Sequence, residues 1–194
     1  MLKLGLTGGI GMGKSTVATL FAEQGIACFN ADDAVHALQA PHGAAIAALD
    51  AAFPGVVEKG VLNRAALRAL VLETPARMHV LEQIMHPLVR AARAEFLAQA
   101  LAQGRKAVLL DIPLLFETGD GSEFDKVITV SCPYEIQLAR VLARGLPRAQ
   151  IEVLIAKQMQ DAQRRAKAVY IIENGGTLVQ TQAQVQAIME ALGL

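Results

Sequence analysis

Gly8-Gly9-Ile10-Gly11-Met12-Gly13-Lys14-Ser15 is the stretch of this chain whose residue types and spacing best suit gripping phosphate. It fits the pattern G-x-x-x-x-G-K-[ST]. Glycines let successive backbone N–H groups converge on phosphate oxygens without Cβ clashes, and a helix starting there adds its dipole. A lysine at Lys14 reaches the β- and γ-phosphates of a nucleoside triphosphate. The Ser15 hydroxyl can ligate Mg2+, and Thr16 is placed to approach the α-phosphate. The plainer reading is a glycine-rich turn with a stray lysine. The apolar strand before the loop and the helical pattern after it favour the nucleotide.

Two further groups could complete such chemistry. Asp111 closes the apolar run Ala107-Val108-Leu109-Leu110, where a strand-end acid can hold magnesium directly or through water; a helix-capping aspartate would look the same. Asn30-Ala31-Asp32-Asp33 follows a second apolar run. A carboxylate there could orient an acceptor hydroxyl and take its proton. Either acid could instead cap the following helix, so one caps and one works. Arg140, Arg144, Arg148, Lys157, Arg164, Arg165 and Lys167 make residues 140–167 basic. Such a segment suits a lid over transferring phosphoryl, and equally a solvated face. No Asn-Lys-x-Asp guanine motif is present, and a large motor ATPase needs more chain. A small phosphotransferase or a small NTP-driven switch remains.

The elements that must position these residues alternate. Strands are expected at Lys3–Thr7, Ile26–Phe29, Lys106–Leu110, Lys126–Val130 and Val169–Ile172. Lys14–Gln24 reads as a helix, with Val17, Leu20 and Phe21 on one face and Gly25 as its stop. Helix is also expected over Asp33–Phe53, broken around Pro41-His42-Gly43, and over Arg64–Leu72, capped by Asn63. From Thr74-Pro75 a further helix runs to about Gln103, with Pro87 expected to kink or restart it. Glu135–Arg144 is helical, a single helix from Pro147 to about Lys167 follows, and Val185, Ile188, Met189 and Leu192 stripe the last one. Strand, loop, helix and strand at the start make a βαβ unit. The whole predicts an α/β, doubly wound five-stranded parallel sheet with a helical insertion between the second and third strands.

Composition narrows the function classes. The 194 residues carry 18 basic and 18 acidic side chains, so the basic excess of a dedicated nucleic-acid binder is missing. At 53% hydrophobic residues and no net charge, disorder is excluded. No apolar run reaches the roughly 18 residues that would span a bilayer, so no membrane partner is expected. Cys28 and Cys132 are far apart and sit in or beside apolar runs, reading as buried reduced thiols rather than a zinc site. The N-terminus shows no signal-peptide pattern. A cytoplasmic enzyme fits these features.

Taken in order, the motifs resemble the dephospho-CoA kinase family over almost the whole chain. Leu6 to Ser15 matches the family's Leu-Thr-Gly-Gly-Ile-Gly-Ser-Gly-Lys-Ser except at Met12. Asn30-Ala31-Asp32 stands for its Asp-Ala-Asp, His86-Pro87 for its His-Pro, and Asp111-Ile112-Pro113-Leu114-Leu115-Phe116-Glu117 for its Asp-x-Pro-Leu-Leu-Phe-Glu. Gln137-Leu138-Ala139-Arg140, Gln158-Met159 and Asn174-Gly175-Gly176 match later motifs. The resemblance implies a P-loop kinase that uses ATP and Mg2+ to phosphorylate the ribose 3′-hydroxyl of dephospho-CoA, the last step of CoA synthesis. It implies a single domain: core at about 1–57, 105–143 and 168–194, a helical CoA-binding insertion at about 58–104, and a lid at about 144–167. By the same resemblance Asp32, Lys14 and Arg140 would be catalytic. Gly9, Gly11, Met12, Gly13, Lys14, Ser15, Thr16, Arg144 and Asn174 would bind ATP, and Ser15 and Asp111 the metal. Thr7, Asp32, Arg64, His86, Asp111, Pro113, Leu114 and Phe116 would bind the acceptor. A monomer or weak homo-oligomer is expected.

Three positions depart from the family pattern. Met12 replaces a small residue and is expected to alter only the loop's outer surface. Asn30 replaces an acid near the triphosphate. Val169 stands where the family often has Asp. The rival readings are another small P-loop kinase, for a nucleoside monophosphate or a metabolite, and a non-catalytic NTP-binding switch.

Overall fold

The computed structural model describes residues 1–119 and 121–194. Its elements, in chain order, are β1 (Leu2–Gly8), α1 (Lys14–Glu23), β2 (Ala27–Asn30), α2 (Ala31–Leu38), α3 (Ile46–Ala52), β3 (Val57–Glu58), β4 (Val61–Leu62), α4 (Arg64–Glu73), α5 (Pro75–Ala102), β5 (Ala107–Asp111), α6 (Leu115–Thr118), β6 (Lys126–Ser131), α7 (Tyr134–Leu142), α8 (Arg148–Lys157), α9 (Asp161–Lys167), β7 (Tyr170–Glu173) and α10 (Leu178–Leu192).

The expected five-stranded sheet is present, in the order β2-β5-β1-β6-β7. β1 lies in the middle and pairs in parallel with β5 and β6, and β6 pairs in parallel with β7. Its centre is apolar on both faces, as a helix-covered parallel sheet requires: Leu4, Leu6, Val108, Leu109, Ile128 and Val130 are all fully buried. Val17, Leu20 and Phe21 of α1 and Val185, Ile188 and Met189 of α10 join one core cluster with these strands. Gly5 is the exception in β1: a Cβ there would lie 2.9 Å from the Phe124 ring. The register sets Leu6 opposite Asp111. The last residue of β5 therefore stands beside the end of β1 that opens into the glycine loop.

The chain divides into two compact units, one of Met1–Phe29 with Ala100–Leu194 and one of Asn30–Gln99. The second has its own core of Ile46, Leu49, Phe53, Val56, Leu62, Leu67, Val71 and Met85. Asn63 caps α4 as expected, its side chain accepting from Ala66 N at 3.0 Å. The antiparallel β3–β4 pair has no counterpart in the sequence reading, because two-residue strands carry no periodicity.

Of the two outcomes expected at Pro87, a kink or a restart, the restart does not occur: α5 continues through it for 28 residues. Met78, Leu81, Ile84, Met85 and Leu88 pack along the second unit's core on both sides of the proline, and this burial holds the helix across the lost hydrogen bond. The opposite happens after Pro147. The expected single helix is two, α8 and α9, because Gln158 leaves helical geometry at φ −86°, ψ 157°.

Candidate active site

The glycine loop is shaped by its backbone. Gly11 and Gly13 have φ of +75° and +87°, the left-handed region that favours glycine. Space imposes the same choice. A Cβ on Gly11 would lie 2.4 Å from Val141, and one on Gly13 would lie 1.9 Å from the Asn174 amide. Side chains from α7 and from the loop after β7 thus close directly on this turn. Gln137 Nε2 donates to Ile10 O at 2.8 Å, while Ile10 N donates to Gln158 Oε1 at 2.9 Å. Asn174 Nδ2 donates to Met12 O at 2.8 Å, and Asn174 Oδ1 accepts from Thr181 at 3.0 Å. Arg140 donates to Asn174 O at 2.8 Å and to Met12 O at 3.5 Å. These bonds fix loop carbonyls on the protein side.

Beyond Gly13, α1 begins without a side-chain cap, so its first N–H groups keep their capacity for an anion. Ser15 and Thr16 are exposed there. Lys14 pairs with Asp111, whose side chain is only 2% exposed. The lysine and the strand-end acid expected to act together are therefore in contact. Thr7 is fully buried, and its hydroxyl donates to Pro113 O at 3.3 Å, tying the segment after β5 to β1. Nearby, burial and then the Asp111 carboxylate push the Cys28 thiol up to about 11, so it stays protonated at neutral pH.

Ser15 and Asp111 offer a hydroxyl and a carboxylate. Magnesium is usually held by one or two such hard oxygens, with phosphates and water supplying the rest. The donor set fits that ion, and among the described residues no cluster of three His, Cys, Asp or Glu offers a separate metal cage. Nor, among the described residues, is any helix long and apolar enough to cross a membrane.

Several assigned residues sit differently from expectation. The Met12 side chain does not face outward; it is 3% exposed and belongs to the core cluster. The loop turns it inward, and a flexible thioether fills the gap between elements. Neither Asp32 nor Asp33 caps α2. The cap is Asn30, whose Oδ1 accepts from Asp32 N at 2.8 Å and Asp33 N at 3.1 Å, and both acids lie exposed in the first turn. Phe116 is 7% exposed, and Lys167 Nζ lies 5.6 Å from its ring centroid. Leu114, by contrast, is 41% exposed. Arg144 is exposed in the turn after α7. Within the second unit Arg64 donates to His36 O at 3.1 Å, and His86 is exposed on α5.

The sheet, the loop and the Lys14–Asp111 pair define a nucleotide fold; comparison with known proteins defines which one. A family model described as dephospho-CoA kinase matches residues 2–180. The chain belongs to the dephospho-CoA kinase family. The dephospho-CoA kinase of Agrobacterium fabrum is 44% identical over 194 residues, covering 100% of this chain and 99% of that one. That of Mesorhizobium japonicum is 47% identical over 193 residues, covering 99% and 97%. Among solved structures, one from Thermus thermophilus superposes with a TM-score of 0.84 at 34% identity, covering 98% of this chain and 97% of that one. The Campylobacter jejuni dephospho-CoA kinase gives 0.72 at 24% identity, covering 98% and 96%, and supports the fold.

Within the family frame, Gln137, Gln158 and Glu117 are motif positions to which the sequence alone gave no role. In the structure the two glutamines hold both sides of the Ile10 peptide. Glu117 Oε1 accepts from Met159 N at 2.9 Å, fastening the α8–α9 break to the segment after β5. Their spacings, 127 to Ile10 for Gln137 and 42 to Met159 for Glu117, leave no local sequence pattern that would reveal these contacts.

Proposed function

We propose that this chain transfers the γ-phosphoryl group of ATP to the ribose 3′-hydroxyl of dephospho-CoA, giving CoA and ADP, the final step of CoA biosynthesis. The observation that carries this reading is the end-to-end similarity to curated dephospho-CoA kinases. Gly9, Gly11, Met12, Gly13, Lys14, Ser15 and Thr16 would cradle the phosphates, with Arg144 and Asn174 assigned to the nucleotide. Arg140 and Lys14 would bring positive charge to the phosphoryl in flight. Ser15 and Asp111 would hold magnesium, which would supply neutralisation of the phosphate charge. Thr7, Arg64, His86, Asp111, Pro113, Leu114 and Phe116 would shape the acceptor side, Thr7 and Phe116 from buried positions.

Asp32 would act as base. The bond from the γ-phosphorus to the β,γ-bridging oxygen breaks, and its electron pair stays with ADP. The 3′-oxygen bonds to phosphorus, and its proton passes to the Asp32 carboxylate. Residues at about 58–104 would form the helical CoA-binding insertion, and residues at about 144–167 the lid. The unpaired cysteines Cys28 and Cys132 suit a reducing cytoplasm. A monomer or a weak homo-oligomer would suffice for this reading.

The test is incubation with MgATP and dephospho-CoA, with AMP, dTMP and shikimate in parallel. CoA and ADP should form only with dephospho-CoA. Turnover of another acceptor in preference, or of none, overturns the reading.

A further inference from the structure

Arg164 is a buried cation of the basic segment whose hydrogen-bonding capacity the protein leaves partly unspent. Its side chain is 3% exposed, yet Nε and Nη1 have no hydrogen-bond partner among the described residues. The nearest carboxylates, Glu117 and Asp161, each stand 3.9 Å away, beyond the 2.7–2.9 Å or so of a charge-assisted bond. Glu117 Oε1 accepts from Met159 N at 2.9 Å and Asp161 Oδ2 accepts from Ser131 Oγ at 2.6 Å, while Asp161 Oδ1, the oxygen nearest Arg164, is buried without a hydrogen-bond partner among the described residues. Burial works against the charge on Arg164 and pulls its pKa down, with Asp161 and Glu117 only partly opposing this.

Its neighbours are committed differently. Arg140 spends its guanidinium on the carbonyls of Asn174 and Met12. Arg165 is bound to Ser131 at 3.0 Å and to Glu173 at 2.5 Å. Arg164 instead lies against the phosphate loop, and a Cβ on Gly9 would sit 3.2 Å from its Nη2. Ile10, the next residue, has its N–H and C=O taken by Gln158 and Gln137, so that peptide does not satisfy the guanidinium. A buried cation with free donors is costly unless an anion meets it. A guanidinium fork suits phosphate oxygens.

We propose that Arg164 binds the outermost phosphoryl group of ATP from α9, at the Gly9 end of the loop, and stabilises its charge during transfer. This rests on the reading that the loop holds ATP. It adds to the assigned site a residue that discriminates ATP from ADP, since ADP lacks the group Arg164 would meet.

The experiment compares Arg164→Ala, Arg164→Met and Arg164→Lys with the parent, and carries Lys14→Ala as a control on the loop itself. Affinities for ATP and ADP are read by calorimetry, turnover by CoA formation, and folding by thermal melting. In folded Arg164→Ala or Arg164→Met, turnover should fall about 10²-fold or more. ATP affinity should fall roughly tenfold more than ADP affinity, and KM for dephospho-CoA should stay within about threefold. Added guanidinium should restore part of the turnover of Arg164→Ala, and Arg164→Lys should lie between the parent and the neutral variants. A purely structural ion pair predicts otherwise. ATP and ADP would weaken alike, or turnover would stay within about threefold of the parent, or both neutral variants would unfold while Arg164→Lys kept the parent's ATP-to-ADP preference. Any of these overturns the proposal. Unimpaired turnover in Lys14→Ala would instead overturn the nucleotide reading beneath it.

Discussion

Three polar residues at the start of α2, Asn30, Asp32 and Asp33, divide their labour in a way that mutation can separate. Asn30 spends its side-chain oxygen on two backbone N–H groups, so Asn30→Ala should cost about 1 kcal/mol in chemical denaturation, while Asn30→Asp, an equally good cap, should stay within about 0.5 kcal/mol. Asp32 and Asp33 both sit in the first turn, where each gains roughly 0.3–1 kcal/mol from the helix dipole. Asp32→Asn and Asp33→Asn should therefore lose similar, small amounts of stability. Activity should separate them: Asp32→Asn is expected to lose about 10²- to 10⁴-fold in kcat, and Asp33→Asn little. Steady-state kinetics with dephospho-CoA varied decides it, and the reverse ranking would remove Asp32 as base. Lys14 carries a structural consequence that its motif does not announce. Its partner Asp111 is 2% exposed in its side chain, and a buried acid stripped of its cation costs on the order of 3 kcal/mol. Lys14→Ala should thus lose stability as well as turnover. Adding Asp111→Asn should recover much of the stability and none of the turnover. Additive losses in the melting of the double variant would mean that the two residues are not coupled.

At the scale of elements, β1, the glycine loop and α1 were legible because short-range patterns specify them: an apolar run, a glycine spacing, then apolar residues three and four apart. The expected positions of all five sheet strands fall within one or two residues of the observed ones. What escaped depends on distant partners. Met12 turns inward because the core offers it space. The α8–α9 break exists where Gln158 reaches Ile10 and Met159 reaches Glu117, and no periodicity within 148–167 records those bonds. At Pro87 the local preference to stop a helix is strong, but apolar contacts on both sides of it outweigh one missing hydrogen bond, and the helix continues. If α5 is held by packing in spite of its proline, Pro87→Ala should stabilise the protein, by about 1–3 kcal/mol in urea denaturation. A loss of stability would mean that the ring itself fills a needed place.

At the scale of the whole molecule, the helices expected between the second and third strands belong to a compact unit of their own, Asn30–Gln99. α2 and α3 follow directly on β2 and look like a crossover in the sequence, but α3 shares the core of Ile46, Leu49, Leu67 and Met85 with α4 and α5, and Val35 and Leu38 of α2 pack against it. The basic segment 144–167 lies wholly within the other unit, and its attachments to that unit are uneven. Ile151 of α8 is fully buried against Leu138 and Val141, which anchors one end. Past the break, attachment depends on polar bonds: Gln158 to Ile10, Met159 to Glu117, Asp161 to Ser131. Gly145, at φ +83°, precedes Leu146-Pro147 and supplies a pivot at the other side. Polar attachments open more readily than buried apolar ones, so local opening should concentrate around 158–161 rather than around Ile151. A nucleotide that engages the loop and the basic residues above it would favour the closed state by its differential affinity. Hydrogen exchange should therefore slow at 158–165 when a saturating ATP analogue is added, by about tenfold or more, with a smaller change at 148–155. ADP should protect the same stretch less, since fewer of its charges face the segment. Equal protection of α8 and α9, or none at either, would show that this segment does not close as a lid.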